Sequence, residues 1–254
     1  QSFMTDHIRI ERRDGLNIIR LNRPEKKNAL TQDMYRAMNA ALEEGEASDE
    51  IRVHVMLGVE GTFTSGNDIA DFMKMASGGD LSGGEIHRFL HNMAGLKKPF
   101  VTGADGIAVG IGTTIHFHAD MTFATPRTNF HTPFTDLALV PEAGSSLLVP
   151  LLAGHQRAYA MLAAGLPFSA QEAKEAGLIY KVVEEGALDS ETLAAAMALA
   201  KKPPQAMAIS KDLLRRTERE AISARIDDEV RLFAERLQSA EAMAAFQAFM
   251  ARKK

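Results

Sequence analysis

The 254-residue sequence contains no cysteine, which excludes disulfides, thiolate metal sites and a cysteine nucleophile. That absence is neutral about compartment. No run of about 18 apolar residues occurs, so no membrane span is expected. Charge of one sign is also lacking. The net charge is −4, so no global basic field draws the chain to nucleic acid or to an anionic membrane. The N-terminal stretch "QSFMTDHIRIERRDG" lacks a signal-peptide pattern, and Met4 is a natural start. These absences together predict a soluble, cytoplasmic protein. Apolar material is plentiful, at 46% of residues against 24% charged. That supports one large domain, or one core with a smaller helical appendage.

The pattern along the chain is mixed α/β. Alternation around Ile8 and Ile10, a turn at Asp14-Gly15 and the run Leu16 to Leu21 predict a hairpin. Thr31 is placed to cap a helix through about Glu46, with Met34, Met38 and Leu42 on one face. Short strands are expected at 52–58, 100–105, 121–126 and 178–183, and a helix at 85–95. The four glycines of 75–84 predict a flexible loop. Helices are then expected at 144–163, 169–176, 190–200, 204–216, 219–237 and 240–252, with Ser169 and Glu172 forming a capping box. A shift at Pro203-Pro204 divides an α/β core, 1–202, from a helical region, 203–254. The apolar stripe Ile222, Ile226, Val230, Phe233 and Leu237 on that tail must pack on something.

Two glycine segments suggest a binding cleft. Gly66 permits close backbone approach to a ligand, and the N–H of Asn67 then faces the cleft. Gly110-Ile111-Gly112 lies where a strand turns into a helix, so the Ile111 N–H sits at the positive helix end. Two such donors, converging, make an oxyanion hole; the alternative is a pair of ordinary turns. A dinucleotide fingerprint is disfavoured, because Ile115 stands where its third glycine belongs. His87 and His91 share a helix face, but Glu85 points elsewhere, so a solvated pair and no metal site are expected. His131 has either a pocket role or a core or loop role.

The order of five segments carries a resemblance: "LNRPEKKNAL" (21–30), "GTFTSGNDI" (61–69), "GADGIAVGIGTTI" (103–115), "PFTDLALVPEAGSS" (133–146) and "SAQEAKEAGLIYKVV" (169–183). From about residue 7 to 252 the chain resembles the crotonase, or enoyl-CoA hydratase/isomerase, superfamily. The resemblance implies an α/β spiral of ββα units with a helical C-terminal trimerisation region, forming a homotrimer or a dimer of trimers. It implies an acyl-CoA substrate and no separate cofactor, since coenzyme A is part of the substrate. Asn67 and Ile111 are implied as the backbone donors to the thioester oxygen. Lys26 or Lys27 would lie near phosphate, and Ala29, Ser65 and Gly66 along pantetheine and adenine. Asp68 belongs to the same wall and more simply fixes loop geometry.

The two glutamates of the family's hydratases are missing here. Thr114 and Phe134 stand at those positions, and neither can serve as a carboxylate base. Peroxisomal-type Δ3,Δ2-enoyl-CoA isomerases are similar through Phe130-His131-Thr132-Pro133-Phe134 and the following Pro141-Glu142. That similarity implies Glu142 as the catalytic acid. One carboxylate suffices for double-bond migration, because a proton taken from C2 can be returned to C4. Apolar neighbours such as Leu139 and Val140 should raise its pKa. The competing reading makes Glu142 a helix N-terminal acid at Gly144-Ser145-Ser146; Asp136 reads as a loop or capping acid. Rival functions are hydration or another crotonase-type reaction, and a non-catalytic CoA-binding subunit.

Overall fold

The computed structural model describes residues 5–78 and 81–253. The first turn follows the alternation. β1 (Ile8–Arg13) and β2 (Leu16–Leu21) pair antiparallel across Asp14-Gly15, both at positive φ, as a two-residue hairpin turn requires. The Thr31 side chain accepts the Met34 N–H at 3.2 Å and starts α1 (Gln32–Ala47), which buries Met34, Met38 and Leu42.

From here each circuit of the chain adds one strand to each of two sheets. β3 (Val53–Leu57) and β4 (Thr62–Thr64) precede α2 (Ile69–Ser77) and α3 (Glu85–Ala94). β5 (Phe100–Ala104) and β6 (Ile107–Val109) precede α4 (Ile111–Thr114). β7 (Met121–Ala124) and β8 (Asn129–His131) precede α5 (Ser145–Ala153) and α6 (His155–Ala158). β9 (Phe168–Ser169), α7 (Ala170–Glu175), β10 (Lys181–Val182) and α8 (Leu188–Ala200) finish the spiral. One sheet runs β1-β2-β3-β5-β7-β10 and the other β4-β6-β8-β9. Apart from the hairpin and the β8–β9 pair, the strands are parallel. β3 and β5 are buried at every position, as parallel strands covered on both faces must be.

Two helices, α9 (Pro204–Leu237) and α10 (Ala240–Arg252), form the tail. The stripe through Ile222, Ile226, Val230, Phe233 and Leu237 does not wait for another subunit. Ile222, Ile226, Leu237 and Ala242 join the same core as α1, α3 and α5, with Val230 and Phe233 packed at its edge. This corrects the expectation that the stripe serves trimer packing, because the stripe is already covered by its own chain.

Other expectations are also revised. Helices at 204–216 and 219–237 are one 34-residue helix, because no glycine or proline interrupts 217–218. The single helix expected at 144–163 is three pieces. Pro150 withdraws one N–H, Gly154 turns to φ +83°, and Tyr159–Ala163 is a π-turn. Met75–Ser77, expected in a loop, end α2, with Met75 buried; residues 79 and 80 of that expected loop lie outside the described residues, as does Met4. Of the strand expected at 178–183, only Lys181–Val182 forms β10, with the Tyr180 and Val183 N–H groups bonded to the Thr122 and Ala124 carbonyls of β7. The Ser169–Glu172 capping box is present.

Candidate active site

The two glycine segments meet. A Cβ on Gly66 would stand 3.1 Å from the Val109 carbonyl oxygen, and Gly66 holds φ +101°. A Cβ on Gly112 would overlap Thr64 O at 2.5 Å. Only glycine at both positions lets the turn after β4 lie against the start of α4. This apposition sets the segments of Asn67 and Ile111 side by side. Among the described residues neither backbone N–H has a hydrogen-bond partner. For Ile111 the cause is its place at the first position of α4, behind Gly110, which offers no side-chain cap.

Glu142 reaches the same place through Thr114. The Thr114 hydroxyl, three residues beyond Ile111 on α4, donates to Glu142 Oε1 at 2.7 Å. The glutamate keeps part of its surface accessible, while its carboxyl is closely walled by protein. Burial is the main cause that raises its pKa from 4.5 to about 8; the Thr114 bond pulls down and the charge of Glu229 pushes up. Thr114 thus acts as a hydrogen-bond donor to an acid from another segment of the chain.

Glu142 is not the acid that caps α5. That task belongs to Glu229 on α9, which is almost fully buried. Its carboxylate accepts the N–H groups of Gly144 (2.6 Å) and Ser146 (3.1 Å) and the Ser146 hydroxyl (2.6 Å). It thereby holds the turn Ala143-Gly144, where two consecutive residues have positive φ, 59° and 74°. Burial also raises the Glu229 pKa, opposed by these donors. A second residue not anticipated is Tyr35 of α1, whose hydroxyl donates to Asn67 Oδ1 and thereby fixes the Asn67 side chain. Burial and the nearby charge of Glu142 hold the Tyr35 phenol well above its ordinary pKa. No local motif marks Glu229 or Tyr35, since both come from remote helices.

The tail roofs this region. Ile222 and Ile226 lie 3.3 and 3.5 Å from where a Gly144 Cβ would be. Phe233 meets Phe72 of α2 edge to face at 6.0 Å. Arg236 donates to the Ala138 carbonyl at 2.9 Å.

The segment with Lys26, Lys27 and Ala29 is stitched to the one with Ser65, Gly66 and Asp68. The Leu30 N–H donates to Gly66 O (2.8 Å), Ser65 N–H to Lys27 O (3.0 Å) and Asp68 N–H to Leu30 O (2.8 Å). Arg23 spans the Ala29 carbonyl and Asp68 Oδ2, at 3.0 and 2.8 Å. Asp68 also accepts the Asp71 N–H at 3.0 Å and caps α2. Those bonds lower its pKa, and its role is loop geometry. Lys26 and Lys27 are exposed beside this wall. His131 donates through Nε2 to the Gly165 carbonyl at 2.9 Å, a structural role.

A cleft of about 860 Å³ lies elsewhere, between α1, α3, α8 and α9, with Leu42, Glu46, Lys98, Leu199 and Met207 in its wall. None of the residues around Glu142 lines it, so its size does not make it the candidate centre. His87 and His91 do not stand alone on α3: Asp227 of α9 faces both.

The family model described as enoyl-CoA hydratase/isomerase matches residues 11–254. Enoyl-CoA delta isomerase 2 of Rattus norvegicus is 34% identical over 243 residues, covering 94% of this chain and 62% of its own length. Enoyl-CoA delta isomerase 3, peroxisomal, of Mus musculus is 32% identical, covering 97% of this chain and 78% of its own. The structure of Pseudomonas aeruginosa OdaA superposes with a TM-score of 0.93 at 37% identity, covering 97% of this chain and 99% of that one. Among the described residues no helix is long and apolar enough to cross a membrane. The chain thus spans less than two thirds of the rat relative but nearly all of the bacterial structure, and it belongs to the enoyl-CoA hydratase/isomerase family.

Proposed function

We propose that the protein moves a double bond from C3 to C2 of an enoyl-CoA, with Glu142 as the only proton carrier. The ionised Glu142 takes a proton from C2, and the electrons move onto the thioester oxygen. The N–H groups of Asn67 and Ile111 donate to that oxygen as it becomes an enolate, in an arrangement whose single donors are worth roughly 10²–10³ in rate. Glu142 then returns the proton to C4, so no water and no second acid is consumed. The observation that carries the reading is the Thr114–Glu142 bond, which ties the carboxyl to the helix bearing the Ile111 N–H. The two relatives named as delta isomerases support the same reaction class. In this reading Lys26 or Lys27 meets phosphate, and the backbone of Ala29, Ser65 and Gly66 lines the pantetheine and adenine.

Self-association as a homotrimer or a dimer of trimers belongs to the same reading. Large apolar side chains remain exposed on α5 (Leu151, Leu152), on the π-turn after α6 (Tyr159) and on early α9 (Ile209, Leu213, Leu214). Light scattering tests it, and a monomer at assay concentration refutes it.

The activity is tested by supplying 3-enoyl-CoA and 2-enoyl-CoA separately. Isomerisation of the first with little hydration of the second is expected. Rapid water addition without isomerisation identifies a hydratase instead. Tight thioester binding without turnover of either identifies a binding subunit.

A further inference from the structure

Where α3 faces α9, two imidazoles and a carboxylate converge. His87 and His91 are one helical turn apart, and Asp227 projects from α9. Each Nε2 lies 2.7 Å from the same Asp227 Oδ1, and the two Nε2 atoms lie 3.0 Å from each other. Hydrogen bonding satisfies this triangle poorly. The Gly83 N–H donates to His87 Nδ1 at 2.9 Å, so a neutral His87 carries its proton on Nε2. If His91 also carries one there, two N–H groups crowd a single oxygen. If it does not, its lone pair faces that oxygen.

A cation removes the conflict, since all three atoms then direct lone pairs at one centre. We infer that His87, His91 and Asp227 form a binding site for a divalent transition metal of the zinc type. Two imidazoles and one carboxylate suit such ions. A zinc ion about 2.0–2.1 Å from each ligand atom sits just above the triangle and keeps a fourth position for water. The outer ring of contacts is half in place, with His91 Nδ1 3.1 Å from the Ser223 hydroxyl. On metal binding the His87 proton moves to Nδ1 and the Gly83 N–H turns away. Gly83 has no atom within 4 Å of where its Cβ would be, so it has room to do so. The ion would staple α3 to α9, the helix that roofs Glu142.

The test uses the full chain freed of metal with a chelator, then titrated with Zn²⁺ calorimetrically and with Co²⁺ by its visible absorption. About one equivalent should bind well below millimolar concentration, raise the unfolding temperature, and give Co²⁺ a low-coordinate spectrum. Losing even an outer-shell partner costs roughly 10–100-fold in affinity. Asp227→Asn should therefore weaken binding at least about tenfold and abolish the rise in unfolding temperature. His87→Gln, on the opposite helix, should do the same while leaving Asp227 in place. No binding below millimolar, or unchanged affinity in Asp227→Asn, overturns the site; the latter would leave only an adventitious pair of histidines on one helix. None of these side chains contributes to the proposed isomerisation, so the outcome is independent of that reading.

Discussion

Glu142 and Glu229 flank one turn and differ mainly in how many donors face them. Both are largely buried, and burial raises both pKa values. Glu229 receives two backbone N–H groups and a hydroxyl at the start of α5, which oppose the rise that burial causes. Glu142 receives one hydroxyl and is pushed to about 8. Donor count separates a carboxyl tied into a turn from one left free to exchange a proton. The same tertiary contact serves both, since the Glu229 charge helps keep Glu142 protonated.

The comparison breaks most sharply at Glu142. Glu142→Gln should lower isomerase turnover by about 10³–10⁴, near the upper range for a general acid–base. Near-wild-type rates in a steady-state assay would remove the carboxyl from the mechanism.

Glu229→Ala should act first on stability. It strands the N–H groups of Gly144 and Ser146 in a buried setting, which costs about 2–4 kcal/mol by denaturant unfolding. Glu229→Gln, which keeps an acceptor, should recover part of that. If instead Glu229→Ala unfolds like wild type, the turn is held by other means.

Thr114→Val is a smaller perturbation. The hydroxyl lowers the Glu142 pKa, so its loss should move the rising limb of kcat/KM against pH to higher pH. In wild type that limb should be centred near pH 8 in the free protein, with a loss of about tenfold at neutral pH in the variant. An unshifted limb would show that the bond does not tune the acid.

The mildest effect is on stability against pH. Because the folded pKa of Glu142 exceeds its ordinary 4.5, the folded state binds more protons than the unfolded state between about 4.5 and 8. Wild type should lose stability across that interval, by on the order of 1–3 kcal/mol. The unfolding temperature of Glu142→Gln should not show that component. Parallel curves for the two proteins would argue that the carboxyl is not desolvated.

Local signals were legible where the chain alone decides geometry. The Asp14-Gly15 turn, the Thr31 cap and the Ser169–Glu172 box depend on neighbours within four residues, and each formed where the residues indicated. Helix ends were less legible. Gly154 and Pro150 break a run that apolar spacing had made continuous, while 217–218 carries no breaker at all. In the site, Glu142, Asn67 and Ile111 could be named from spacing and resemblance, because glycines mark their segments. Glu229, Tyr35 and Asp227 carry no such mark. They act across 85, 32 and 136 residues of separation, so no local window contains both partners.

By itself the sequence determined which residues own carboxyls, glycines and caps, and hence that a single acid near two glycine turns was available. Tertiary structure decided what that acid is. The pKa of Glu142 depends on how much water the surrounding helices exclude and on a second carboxylate delivered by the tail, and neither is a property of the residue or its neighbours in the chain.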